Sequence, residues 1–119
     1  MMRKLLVTIS LVLLLIDTAS ALRVIEQVER AVELTLGELS LPSAEGGTVS
    51  FSECPTCGIS THRLTESTVF QANRQTVPFV EFMRIVELIA DKPNGEDKAV
   101  AVVFIDIATG RITRIEVRE

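Results

Sequence analysis

The sequence contains no tryptophan and no tyrosine, and only five of its 119 residues are phenylalanine. Positive charge is also short, because 12 Lys and Arg residues stand against 16 Asp and Glu residues, a net charge of −4. Proteins that bind nucleic acids neutralise phosphates with basic side chains and stack bases on aromatic rings. We therefore expect no nucleic-acid partner. The same shortage of aromatic rings removes support for sugar binding.

Long hydrophobic runs are lacking as well, with one exception near the start of the chain. Residues 5–16 (LLVTISLVLLLI) are apolar or uncharged, follow the basic pair Arg3-Lys4, and precede the small-residue pattern Ala19-Ser20-Ala21. This order is typical of a cleavable signal peptide. The run of 12 residues is short of the roughly 20 that a spanning helix needs. The sequence thus predicts a signal peptide over residues 1–21 and no membrane anchor after cleavage.

The remaining residues, 22–119, form a chain of 98 residues, which is the size of one small domain. Loss of Arg3, Lys4 and Asp17 leaves this domain with a net charge of −5. We expect an exported protein, periplasmic or secreted.

Most of the domain has strand-like patterns. Residues 22–36 fit either a helix or a strand, and we favour a strand from about Ala31 to Leu36. Alternating apolar and polar residues predict strands over 48–53, 59–65 and 67–72. Residues 54–58 form a turn between the first two of these, and the polar residues 73–75 close the third. Residues 91–98 read as a solvated loop.

One helix is predicted over residues 78–90 (PFVEFMRIVELIA), with Pro78 in its first turn. Its only charged residues are Glu81, Arg84 and Glu87, which form a single polar stripe. The rest of the surface is more apolar than one face of a sheet can cover. We expect part of it to pack against the N-terminal segment or against a second chain, so that a homodimer or a protein partner is a possible outcome.

The C-terminal part predicts two further strands. Residues 99–106 (AVAVVFID) are apolar on both faces, as a central strand would be, and Thr109-Gly110 forms a hairpin turn. The return strand, 111–118, is expected to place Thr113, Ile115 and Val117 on one face. Together the elements predict an α+β domain, in which a bent antiparallel sheet or partly open barrel of about five to six strands packs with one helix.

This C-terminal half resembles small exported bacterial domains of uncharacterised function. The resemblance lies in a strand containing Thr68, the helix 78–90, and the hairpin run 109–115 (TGRITRI). It implies the same small α+β fold and carries no implication about mechanism.

Chemically versatile side chains are few, since the chain has two cysteines and one histidine. Cys54 and Cys57 stand in the sequence Cys-Pro-Thr-Cys-Gly, and His62 lies five residues after Cys57. In an exported protein two cysteines tend to pair, so the first interpretation is a structural disulfide. A ring this short restricts the unfolded chain little, and contributes about 2 kcal/mol.

Two other interpretations of the pair stay open. The Cys-x-x-Cys spacing is that of thiol–disulfide exchange catalysts, although there the first cysteine begins a helix, and residues 58–62 are poor helix formers. The turn also resembles one knuckle of a zinc ribbon, which would make Cys54, Cys57 and His62 candidate ligands. A structural zinc site needs four ligands, so this reading requires a second chain. A hydrolytic cysteine is rejected, because nothing in the sequence would orient His62 as its base.

We therefore predict a non-enzymatic exported interaction or structural protein with no cofactor, no catalytic residues and a Cys54–Cys57 disulfide. The alternative is a periplasmic thiol-redox or metal-handling protein that uses the same two cysteines.

Overall fold

The computed structural model describes residues 28–119. The predicted signal peptide and residues 22–27 lie outside the described part. Its strands are β1 (Glu29–Thr35), β2 (Thr48–Ser52), β3 (Ile59–Ala72), β4 (Gln75–Val77), β5 (Val100–Asp106) and β6 (Ile112–Arg118). Its helices are α1 (Phe79–Ala90), the single turn α2 (Gly95–Lys98) and a short 3-10 turn (Leu36–Glu38).

The strands form one curled sheet in the order β1-β5-β6-β3-β2, with β4 paired to β3. The inner face of this half-barrel packs against α1, so the predicted α+β class with one main helix is confirmed. Of the two predicted arrangements the sheet is the partly open barrel, and it is mixed rather than antiparallel throughout, because β3 and β6 run parallel. Strand β4, the helices and strand β5 lie between β3 and β6 in the sequence. This long connection allows β6 to run in the same direction as β3, whereas a strand joined to β3 by a hairpin would run in the opposite direction.

The ambiguous N-terminal segment is a strand in its described part. β1 ends at Thr35, one residue before the predicted limit, and the 3-10 turn begins at Leu36. Alternation along β1 places Val32 and Leu34 in the core and leaves Ala31 and Glu33 on the other face.

Segments 59–65 and 67–72 were predicted as two strands and form the single strand β3 with a break in its pairing to β6. The register shifts between Leu64 and Val69. The buried side chain of Thr68 fills this break, because its hydroxyl donates to the carbonyl of Ile112 (2.7 Å) and accepts from the N–H of Thr65 (2.9 Å). Both backbone groups would otherwise lack a partner at the break.

Strand β4 was not predicted. It follows a two-residue turn at Asn73 and Arg74, both of which adopt positive φ (48° and 71°). Two consecutive left-handed residues are the conformation of a tight hairpin turn, and Arg at the second position is not one of its usual signals. The polar residues therefore mark a hairpin rather than the end of the sheet.

Helix α1 begins one residue later than predicted, with Pro78 as its N-cap. Phe79, Phe82 and Ile89 are buried, and the rings of Phe79 and Phe82 lie 5.3 and 5.1 Å from that of Phe70. Val80 and Leu88 on the outer side of α1 remain exposed. Of the N-terminal segment, Val32, Leu34 and Leu36 share one apolar core with the buried side of α1.

The predicted loop 91–98 contains the helical turn α2, which ends directly before β5. Gly95 begins α2, and a Cβ atom there would lie 1.8 Å from the carbonyl oxygen of Ile89. Only glycine permits this approach of the turn to the end of α1.

β5 is central, as predicted, and lies between β1 and β6. The face assigned to β6 needs correction, because the register shifts opposite Phe104 and Ile105 and leaves Thr113 unpaired. Ile112 therefore takes the inner position predicted for Thr113. The side chains that are almost fully buried at the centre of the core are Val49, Phe82, Val103, Ile105, Ile112, Ile115 and Val117.

Candidate functional site

The turn between β2 and β3 contains a disulfide between Cys54 and Cys57, whose Cα atoms lie 5.0 Å apart. The N–H of Cys57 donates to the carbonyl of Cys54 at 3.1 Å. The hydroxyl of Ser52 lies 2.8 Å from the Cys54 carbonyl and 2.9 Å from that of Cys57, within donating distance of both. The predicted bond is thus confirmed, and it closes a β-hairpin turn rather than the first turn of a helix.

His62 belongs to a different environment. Its Nδ1 lies 2.7 Å from the carbonyl oxygen of Gly110, in the turn between β5 and β6. A carbonyl can only accept, so Nδ1 carries the proton in this contact. The ring stacks on Phe51 with centroids 5.4 Å apart, and its Nε2 is buried with no hydrogen-bond partner in the described part of the chain. His62 thus connects the two hairpins.

The three candidate metal ligands do not converge in this structure. Cys54 and Cys57 are bonded to each other, and the polar contact of His62 is to Gly110. Within residues 28–119, no group of three His, Cys, Asp or Glu side chains is arranged to hold a metal ion.

A cleft of about 570 Å³ lies between the two edge strands of the curled sheet, β1 and β2. The sequence did not predict this cleft, because its lining residues are spread from position 33 to position 59 and are brought together only by the curvature of the sheet. The apolar floor is formed by Leu34 and Phe51, and one end is bordered by Cys54, Pro55 and Ile59. Ile59 is 79% exposed, although a large apolar residue of a strand is expected to face the core. It is the one apolar residue of this region whose exposure the packing of the strand does not explain.

The rim of the cleft is acidic. Glu33, Glu38 and Glu53 line it, and no Lys or Arg is among the described residues that do. Glu38 accepts a hydrogen bond from the N–H of Thr35 at 3.1 Å, which fixes its carboxylate at the end of β1. Glu53 forms an ion pair with Arg30, with 2.5 Å between Nη2 and Oε1. This pair joins β1 to the end of β2 across the cleft.

Other polar groups lie away from the cleft. On the outer face of the sheet, the Arg114 guanidinium lies 4.0 Å above the ring of Phe104, and its Nε is 3.3 Å from Glu116 without hydrogen-bond geometry. Near the end of the chain, the Lys92 ammonium donates a hydrogen bond to Glu119 and thereby holds the pKa of that carboxyl below its ordinary value.

None of the helices in residues 28–119 has the length and apolar character required to cross a membrane. Comparisons of the chain with protein-family models, with curated proteins and with solved structures find no match. The resemblance to small exported domains therefore stays a prediction.

Proposed function

We propose that this chain acts outside the cytosol as a non-enzymatic interaction domain, and that the cleft between β1 and β2 is its binding surface. The observation that carries the proposal is the juxtaposition of two sheet edges, an apolar floor and the exposed side chain of Ile59 at one place on the molecule. Exposed apolar side chains beside unpaired strand edges favour association with another polypeptide.

The disulfide fits a structural role at the border of this surface. It fixes the turn that carries Pro55 and precedes Ile59, and Ser52 holds the same turn from inside the hairpin. A catalytic cysteine of the Cys-x-x-Cys type owes its low pKa to a helix N-terminus. Here both cysteines lie between two strands. A disulfide is also compatible with export to an oxidising compartment.

The alternative function is thiol–disulfide exchange or metal handling by the same pair. One observation favours it, because Cys57 is exposed at the end of the hairpin and a thiol of another protein can reach it. Metal binding would first require reduction of the bond, since thiolates are the ligands. In thiol–disulfide exchange and in metal handling the functional groups are the sulfur atoms of Cys54 and Cys57, whereas in the proposed function the functional feature is the cleft.

A photocrosslinking amino acid at position 59 tests the proposed function in protein exported by its own cell. We expect discrete crosslinked products from Ile59 and none from the same substitution at Val80 on α1. Val80 is a matched control because it is 78% exposed, against 79% for Ile59. Equal crosslinking at both positions, or none at position 59, would contradict the proposal.

The double substitution Cys54→Ser plus Cys57→Ser separates the alternative. A structural bond predicts a loss of about 2 kcal/mol, hence a melting temperature lower by several degrees. It also predicts no activity of the unmodified protein in an insulin-reduction assay. Unchanged melting, together with insulin reduction that the double variant loses, would favour redox chemistry over our proposal.

A further inference from the structure

The outer edge of β1 has unused backbone groups. The carbonyl of Val28 accepts from Ile107 and the N–H of Leu36 donates to Ala99, both at 3.0 Å, so even-numbered residues of β1 bond towards β5. Backbone groups alternate in direction along a strand. The odd residues Glu29, Ala31 and Glu33 therefore direct their N–H and C=O groups away from β5. Within residues 28–119, no strand pairs with this side of β1.

Strand β2 presents the opposite wall of the cleft. Ser50 exchanges two backbone hydrogen bonds with Ser40, on the side away from β3, at 2.9 and 3.1 Å. Two residues along, Ser52 directs its backbone to the same side. The space between the edges is therefore bounded at one end by the Ser40–Ser50 bridge and at the other by the Arg30–Glu53 ion pair. The cleft between these two ends has a volume of about 570 Å³.

The charge of the cleft selects among possible occupants. A second copy of this chain that paired antiparallel through β1, about Ala31, would place Glu29 of each copy opposite Glu33 of the other. Like charges directly opposite each other destabilise a strand pair. A basic segment instead meets Glu33 and Glu38 on the rim, while Glu53 is already paired with Arg30. Charge therefore favours a different, positively charged polypeptide over self-association through this edge.

Resting on the proposed function, we propose that the cleft binds an extended basic segment of another protein by β-strand addition to β1. Alternate side chains of an added strand point to opposite faces. Apolar side chains of the segment contact Leu34 and Phe51 on the floor, and basic side chains face Glu33 on the outer face. The ion pair between Arg30 and Glu53 closes one end of the cleft, so the added segment pairs with the part of the β1 edge that follows Arg30, at Ala31 and Glu33.

The first test uses the synthetic peptide acetyl-Lys-Val-Lys-Val-Lys-amide, carrying a fluorophore, in anisotropy titrations with the purified full chain. Two further peptides are N-methylated, one at the lysine nitrogens and one at the valine nitrogens, which blocks one set of backbone donors in each and keeps the charge. We expect at least one of them to bind about tenfold more weakly. If both bind as tightly as the parent peptide, attraction is electrostatic only and strand addition is wrong.

Two charge variants and an acidic peptide test the choice of partner. Glu33→Gln is expected to weaken binding of the lysine peptide several-fold at low salt and less at high salt. The matched control Glu87→Gln, on the exposed side of α1, removes the same charge and is expected to leave binding unchanged. The peptide with Glu in place of Lys is expected not to bind. Equal effects of both substitutions would mean that only the net charge matters and would overturn the proposal.

Hydrogen exchange locates the peptide directly. The amides of Ala31 and Glu33 are expected to exchange fast in the free protein and at least tenfold more slowly with the lysine peptide. No added protection would overturn the proposal. Protection of both amides before any peptide is added would overturn it too, since the chain's own N-terminal residues would then fill the cleft. A failed peptide test with persistent crosslinking at position 59 would reject strand addition alone, whereas loss of both would reject the proposed function as well.

Discussion

The sheet has a closed side, where β3, β5 and β6 pack their apolar side chains against α1, and an open side, where the edges of β1 and β2 are linked by a few polar contacts. On the closed side Phe82, Val103 and Ile115 are fully buried. On the open side the links are the Arg30–Glu53 ion pair and the Ser40–Ser50 bridge. Burial of apolar surface is the dominant favourable term in folding, and an exposed ion pair contributes little. Stability is therefore expected to lie on one side of the sheet and binding capacity on the other.

The largest expected effect is on the closed side. Replacing Phe82 by Ala removes a ring that is 0% exposed and that contacts Phe70, so it leaves a cavity between α1 and β3. We expect the free energy of unfolding to fall by about 3–5 kcal/mol, measured by chemical denaturation.

Val80→Ala, on the exposed side of the same helix, is the control for Phe82→Ala. It is expected to change the free energy of unfolding by less than about 0.5 kcal/mol. A loss below about 1 kcal/mol for Phe82→Ala would show that α1 does not close the sheet and would remove the contrast between the two sides.

A smaller effect is expected at the break between β3 and β6. Thr68→Val keeps the shape of the side chain but removes the hydroxyl that bonds Ile112 and Thr65. A buried polar group left without a partner costs about 1–3 kcal/mol, so we expect a loss of that size in the free energy of unfolding. Thr68→Ser retains the hydroxyl and should lose less. If the serine variant is the less stable of the two, the methyl group and not the hydrogen bonds holds this break.

The contrast also explains which features could be predicted from sequence. The elements of the closed side have local sequence patterns, because β5 is apolar on both faces and residues 78–90 have helical spacing. The fold class and these elements could therefore be predicted. The break at Thr68 depends on the pairing of β3 with β6, in which Thr68 bonds a residue 44 positions away. The shift at Thr113 depends on the register between β5 and β6. Neither register can be read from the apolar pattern of a single strand. The cleft could not be predicted either, because it is formed by β1 and β2, whose separation depends on the curvature of the whole sheet. The cysteine pair was found because its partners are three residues apart.

A small effect on stability, and the sharpest test of the open side, is expected from Arg30→Gln. The ion pair with Glu53 is partly exposed, so its loss should cost at most about 1 kcal/mol in chemical denaturation. The substitution frees the Glu53 carboxylate from this ion pair, and the lysine peptide should bind roughly two- to fivefold more tightly at low salt.

The matched control for Arg30→Gln is Arg84→Gln, because Arg84 forms an ion pair with Glu81 on α1 at the same 2.5 Å. It should show a similarly small loss of stability and no change in peptide binding. If both substitutions tighten the peptide equally, the effect reflects net charge and not the cleft. If Arg30→Gln instead costs several kcal/mol, the ion pair holds the two edges of the fold together, and the open side is closed by a contact as important as the apolar core.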